Sequence, residues 1–161
     1  MTNSPSYPCY VGARGWEHED WLGSFYPQDL PSDWRLTYYN NFFTCCYLDY
    51  AAWAEQTEAT LKQWVVDTLP GFRFVLEIPV SLSEADRARL GILLPRTGLT
   101  GTAAVLQTSC MWLSEKPNWR TLAAQIQERV QASGTECYLI SETQVVTDLQ
   151  QSTALLEILG Y

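Results

Sequence analysis

Short apolar runs alternate along the chain with stretches in which apolar residues recur every three or four positions, the pattern of strands separated by helices. Tyr10 to Ala13 is an apolar run ending at Arg14-Gly15-Trp16, which predicts a strand feeding directly into a loop. Pro31 and Ser32 suit a helix start ahead of Trp34 and Tyr38, and beyond Asn40-Asn41 the segment Phe42 to Asp49 reads as a second strand. Thr57 can cap a helix over Glu58 to Thr68, where Leu61, Trp64, Val65 and Thr68 share one face and Pro70-Gly71 stops the run. Phe72 to Pro79 is the third strand. Ser83, with Asp86 three residues on, is close to a capping box and opens a helix that Gly91 and Pro95 keep short. Thr102 to Thr108 reads as a fourth strand. Asn118 can cap a helix whose stripe is Trp119, Leu122, Ala123, Ile126 and Val130, closed by Ser133-Gly134 before a fifth strand at Cys137 to Ile140. Thr147 with Gln150 offers a second capping box for a last helix, Asp148 to Leu159.

Strands separated by helices throughout imply parallel neighbours joined by right-handed crossovers, an α/β architecture of about five strand-helix units. No linker or low-complexity segment interrupts it, so residues 1–161 read as one domain. An open doubly wound sheet and a piece of a barrel both satisfy this pattern. Gly12-Ala13-Arg14-Gly15 is not the glycine fingerprint of dinucleotide sites, and no phosphate-loop motif occurs, which favours barrel-type units.

Charge narrows the partners. Lys and Arg total 10 against 18 Asp and Glu, a formal net charge of -8, so a phosphate backbone or an anionic membrane surface is repelled on average. The two lysines, Lys62 and Lys116, make no basic patch. Met1 to Pro8 has neither the basic nor the apolar character of a signal segment, and no apolar run approaches the ~20 residues that span a bilayer. Cys9, Cys45, Cys46, Cys110 and Cys137 form an odd, scattered set with no metal-ligand spacing, which suits a reducing cytoplasm.

Gly12-Ala13-Arg14-Gly15-Trp16, then Asp20-Trp21 and Phe25-Tyr26-Pro27, resemble the opening of the YecE-like family, the domain of unknown function 72. The resemblance continues through Trp34, Tyr38-Tyr39, Phe43 to Trp53, Trp64 and Gly71-Phe72-Arg73-Phe74, and is weak after Pro79. Gln107 is similar in context to the Gln that ends that family's fourth strand, and Cys137 to Glu142 to its fifth. The resemblance implies a (β/α) barrel of the TIM type, which closes with eight strands and ~250 residues. At 161 residues the expectation is a single truncated YecE-like barrel domain, open rather than closed, lacking roughly the last three units. Tyr47 and Asp49 stand where the family has Glu and Asn, Glu77 stands where it has Lys, and a following Thr-His is missing, which implies a degenerate site. The family carries no known reaction, so the fold alone names none.

The candidate chemistry lies at the expected strand ends. His18, the only histidine, sits among Glu17, Glu19 and Asp20, a set able to hold a divalent metal or do acid-base work, or simply a solvated acidic loop. Asp49 and Glu77 are candidate general acid and base. Arg14 could grip a carboxylate or phosphate, or pair internally with Asp49 or Glu77. Arg14, Trp16, Tyr47, Asp49, Glu77 and Gln107 therefore form the candidate ligand-binding set, without a cofactor or resident metal. Cys45 and Cys46, adjacent on a strand, must point to opposite faces and read as packing. Trp21, Trp34, Trp64 and Trp119 read as core, whereas Tyr47, Tyr50 and Trp53 cluster after strand two where an interface or apolar ligand would suit them.

An unclosed barrel leaves its first and fifth strands unpaired and its inner face uncovered. A homodimer through a strand edge or the barrel face would cover them, as would the last helix folding over that face. The favoured reading is a non-catalytic assembly or small-ligand-binding module. A hydrolase-type or metal-assisted enzyme using the strand-end acids with His18, and a subunit that completes its sheet with another chain, are the alternatives.

Overall fold

A computed structural model describes residues 9–133, 136–143 and 145–161. Its strands are β1 (Cys9–Arg14), β2 (Cys45–Leu48), β3 (Arg73–Glu77), β4 (Thr97–Gly101), β5 (Met111–Leu113) and β6 (Cys137–Ser141). All pair in parallel, in one sheet of order β4-β3-β2-β1-β6-β5. The helices are α1 (Arg35–Tyr39), α2 (Tyr50–Ala54), α3 (Glu58–Asp67), α4 (Glu84–Leu93), α5 (Ala103–Ser109), α6 (Trp119–Ser133) and α7 (Val146–Leu159), with short 3-10 turns at Glu19–Trp21, Ser32–Trp34 and Leu94–Arg96. Among the described residues no helix is long and apolar enough to cross a membrane.

Period-two alternation divides the strand residues between two cores. Val11, Ala13, Cys46, Leu48, Phe74 and Leu76 share the outer face with buried residues of α1, α3, α4, α6 and α7. Tyr10, Cys45, Tyr47, Val75, Tyr138 and Ile140 share the inner face, against which Leu106 of α5 and the neighbouring Cys110 pack. Cys45 and Cys46 accordingly point into different cores, as adjacent strand residues must.

The sheet is curled, and one contact shows it. A Cβ on Gly98 of β4 would fall on the hydroxyl of Tyr138 from β6. In a flat sheet those strands lie four spacings apart, roughly 19 Å, far beyond the reach of a tyrosine. The inner face is therefore concave, and the fold is an open, partial TIM-type barrel. Gly98→Ala should cost about 1–3 kcal/mol, because the new methyl would meet the Tyr138 ring as well as its hydroxyl, and Arg73 Cβ at 3.0 Å. Urea unfolding measures this, and an unchanged midpoint would show that Tyr138 moves aside freely.

The strand order corrects the expected truncation. β1 is central, flanked by β2 and β6, and the edges are β4 and β5. In a closed barrel the strand on the far side of β1 from β2 is the last one. The gap therefore lies between β4 and β5, not after the fifth unit. The expected fourth strand, Thr102 to Thr108, is α5: Thr102 accepts a hydrogen bond from the Val105 amide, and Ala103, Ala104, Leu106 and Gln107 are good helix formers. The strand is instead Thr97–Gly101, weak by composition and held by pairing with β3. α5 covers the concave face, whereas α7 packs on the outer one, opposite to the expected role of the last helix.

Helix starts follow local chemistry where the cap is strong. Thr57 accepts from the Thr60 amide, Asn118 from the Thr121 amide, and Ser83 and Asp86 form a complete capping box. Thr147 does not cap; α7 begins at Val146, two residues earlier than expected, behind Val145, which makes no side-chain cap.

Candidate functional site

β1 and β3 end at Arg14 and Glu77, and both side chains lie on the concave side with Tyr47 of β2 between them. The Tyr47 hydroxyl donates to Glu77 Oε2 at 2.7 Å. Burial first, then the bond to Glu77, push that hydroxyl well above the ordinary tyrosine range, so it stays a protonated donor. The Arg14 guanidinium carbon lies 4.8 Å from the Tyr47 ring centre and 5.7 Å from that of Trp112, with the two rings set edge to face. Trp112 is held by its indole N–H, which donates to the Gln107 carbonyl at 3.0 Å. A small pocket of about 190 Å³ opens beside Arg14, lined also by Gly15, Tyr47, Leu48, Asp49 and Ala52.

The expected acid-base groups are engaged elsewhere. Asp49 caps α2, its Oδ1 accepting the Ala52 amide at 2.9 Å. His18 Nε2 lies 2.9 Å from the Arg14 carbonyl and 3.1 Å from that of Gly15, which makes it a donor, and its ring rests on Trp21. Glu17 and Glu19 both hold Nη1 of the buried Arg35, at 2.8 and 3.0 Å. The four neighbours expected to act together therefore do not converge, and among the described residues no three His, Cys, Asp or Glu side chains are grouped as metal ligands. Arg14 is exposed and pairs with neither Asp49 nor Glu77; the ion pairs among the described residues are those of Arg35.

Trp16 is a core residue, packed edge-on to Trp64 at 4.9 Å on the outer side of the sheet. Gln107 lies on α5 rather than at a strand end, and what it supplies is its carbonyl to Trp112. Tyr50 and Trp53 do not form an open cluster with Tyr47. Trp53 is fully buried with its indole donating to the Glu77 carbonyl, and Tyr50 donates to Asp86. All five cysteines are buried free thiols; burial pushes Cys110 up to about 11 and Cys45 and Cys46 higher, away from thiolate chemistry, whereas the hydrogen bond with Cys9 lowers Cys137.

Residues 10–134 match the family described as "Protein of unknown function DUF72". The chain belongs to the DUF72 family. A crystal structure of a DUF72 family protein from Thermotoga maritima is similar over 92% of this chain and 99% of that chain, with a TM-score of 0.61 and 14% sequence identity. At that identity the likeness is one of fold. No curated protein matches the chain.

Among the strand-end residues of this DUF72 chain, Trp112 is the one that sequence reasoning missed. Its strand is three residues long and starts three residues beyond the end of the expected fourth strand, Thr102 to Thr108. The signal was Cys-Met-Trp-Leu, a short apolar run after a helix-compatible stretch.

Proposed function

We propose that this DUF72 chain is a non-catalytic binding protein for a small carboxylate, gripped at the strand ends by Arg14. The observation that carries this reading is a contrast in partners: Asp49, Glu77 and His18 are each engaged in a structural hydrogen bond, while the exposed Arg14 guanidinium has no carboxylate against it. Tyr47 and Trp112 restrain the guanidinium by their rings and leave its N–H edges free for a planar anion. The pocket of about 190 Å³ suits a ligand of a few heavy atoms. Calorimetric titration with acetate, benzoate and a set of 2-oxo acids is the test. At least one should bind below about 10 mM, with affinity falling about tenfold or more in Arg14→Met. No binding by any, or equal binding by the variant, removes the reading.

Self-association is a second reading, supported by the two unpaired edges, β4 and β5, and by Val105 of α5, 51% exposed beside them. Light scattering on the purified chain should give twice the monomer mass, and Val105→Lys should halve it. A monomer at all concentrations ends that reading. Five buried thiols suit a reducing cytoplasm as the compartment.

A further inference from the structure

The largest cavity described is not at the strand ends. A groove of about 900 Å³ runs between α3 and the segment formed by the Ser32–Trp34 turn with α1. Trp34, on a family structural position and expected in the core, stands 60% exposed beside it. An indole left in water keeps an unpartnered apolar face together with a ring N–H, the combination that flat, amphipathic ligands use.

We propose that this groove is a binding cleft for a neutral oligosaccharide, with Trp34 as the stacking platform. The polar lining decides the ligand class. No lysine or arginine lines the groove, which removes the counter-charge an anionic ligand needs. Gln56, Gln63, Ser32, Thr37, Asp33 and Asp67 supply amide, hydroxyl and carboxylate groups, a mixture of donors and acceptors. A fully apolar ligand would strand these groups without water, and a cation would engage the carboxylates alone. Sugar hydroxyls both donate and accept, and so match the whole set.

Two further contacts favour a neutral ligand. Glu17, which lines the groove, is already held by Arg35 at 2.8 Å, a guanidinium it shares with Glu19. Gln63 donates to Asp67 Oδ1 at 2.7 Å, one helical turn apart on α3, which holds a planar amide and a planar carboxylate side by side. Such a pair can bracket two adjacent ring hydroxyls while the C–H face of a sugar lies on the Trp34 indole. The groove is long enough by volume for several sugar units, at the upper end of ordinary ligand sites.

The test is isothermal titration of the full chain with maltohexaose, cellohexaose, xylohexaose and chitohexaose, with spermidine as an organic-cation arm. One glycan should bind with Kd of about 10–1000 µM. Trp34→Ala and Gln63→Leu should each weaken it about tenfold or more with unchanged circular dichroism, while Ile158→Ala, remote on α7, leaves it unaltered. The proposal is overturned if none of the glycans binds at about 5 mM, if both groove variants bind as well as the parent, or if spermidine alone is bound.

Discussion

Gly12→Ala should unfold the protein or remove more than about 3 kcal/mol of its stability, the largest effect expected of any single methyl. Gly12 lies in β1 opposite Cys45 of β2. A Cβ there would overlap the Cys45 carbonyl, and the Tyr39 hydroxyl would be 2.7 Å away. The obstacle is backbone at the centre of the sheet, so no rotamer change relieves it; β1 and β2 would have to part. A domain of ordinary stability holds about 5–15 kcal/mol, and separating its two central strands consumes much of that. Expression as soluble protein followed by denaturant unfolding measures it. A midpoint close to the parent's would mean that the strand pair accommodates the methyl and that Gly12 is not required for close approach.

Tyr39→Phe should cost about 2–4 kcal/mol while leaving volume and shape unchanged. The Tyr39 ring reaches from α1 into the sheet, where its hydroxyl accepts from the Ala13 amide at 2.8 Å and donates to the Cys45 carbonyl at 2.7 Å. It is inserted in the β1–β2 ladder as a bridging group. Removing the oxygen leaves one buried N–H and one buried C=O without partners, each costing ~1–3 kcal/mol. Burial holds the hydroxyl well above its ordinary pKa, consistent with a neutral group that both donates and accepts. Thermal unfolding of the variant, with hydrogen exchange at Ala13, is the measurement. Loss of stability without faster exchange at that amide would place the effect in ring packing rather than in the bridge.

The two variants bear on the same seam because Tyr39, on the five-residue helix α1, sets its hydroxyl between the Ala13 amide and the Cys45 carbonyl, against which a Cβ on Gly12 would also fall. The Tyr39 ring is fully buried in the outer core. The hydroxyl's place between two strands has no local signal, since it depends on where α1 lands on the sheet.

The candidate site divides in the same way. Arg14, Tyr47 and Glu77 were legible as strand-end residues because β1, β2 and β3 are distinct short apolar runs and the strands are consecutive in sequence and in space. Trp112 was not, because it reaches Arg14 only after the chain crosses the concave face from β4 to the far edge at β5. His18 and Asp49 carry functional groups in functional places, yet their local backbone takes them first: a carboxylate ahead of a helix caps it, and an imidazole four residues past a strand end reaches back to the carbonyls of Arg14 and Gly15.

What the sequence determined by itself was local: the parallel α/β class, the caps at Thr57, Ser83 and Asn118, the opposed faces of Cys45 and Cys46, and the family. These follow from periodicity, short-range hydrogen bonding and motif spacing, which act over a few residues. Tertiary structure alone decided the order of the strands, and with it everything that concerns closure. Thr97–Gly101 is a strand because β3 offers it a ladder, the locally capped helix Ala103–Ser109 lies on the concave face, and β6 pairs with β1 in a sheet curled enough to bring Tyr138 across to Gly98. Which edge meets which is a property of the whole sheet's curvature, and no window of the chain contains it.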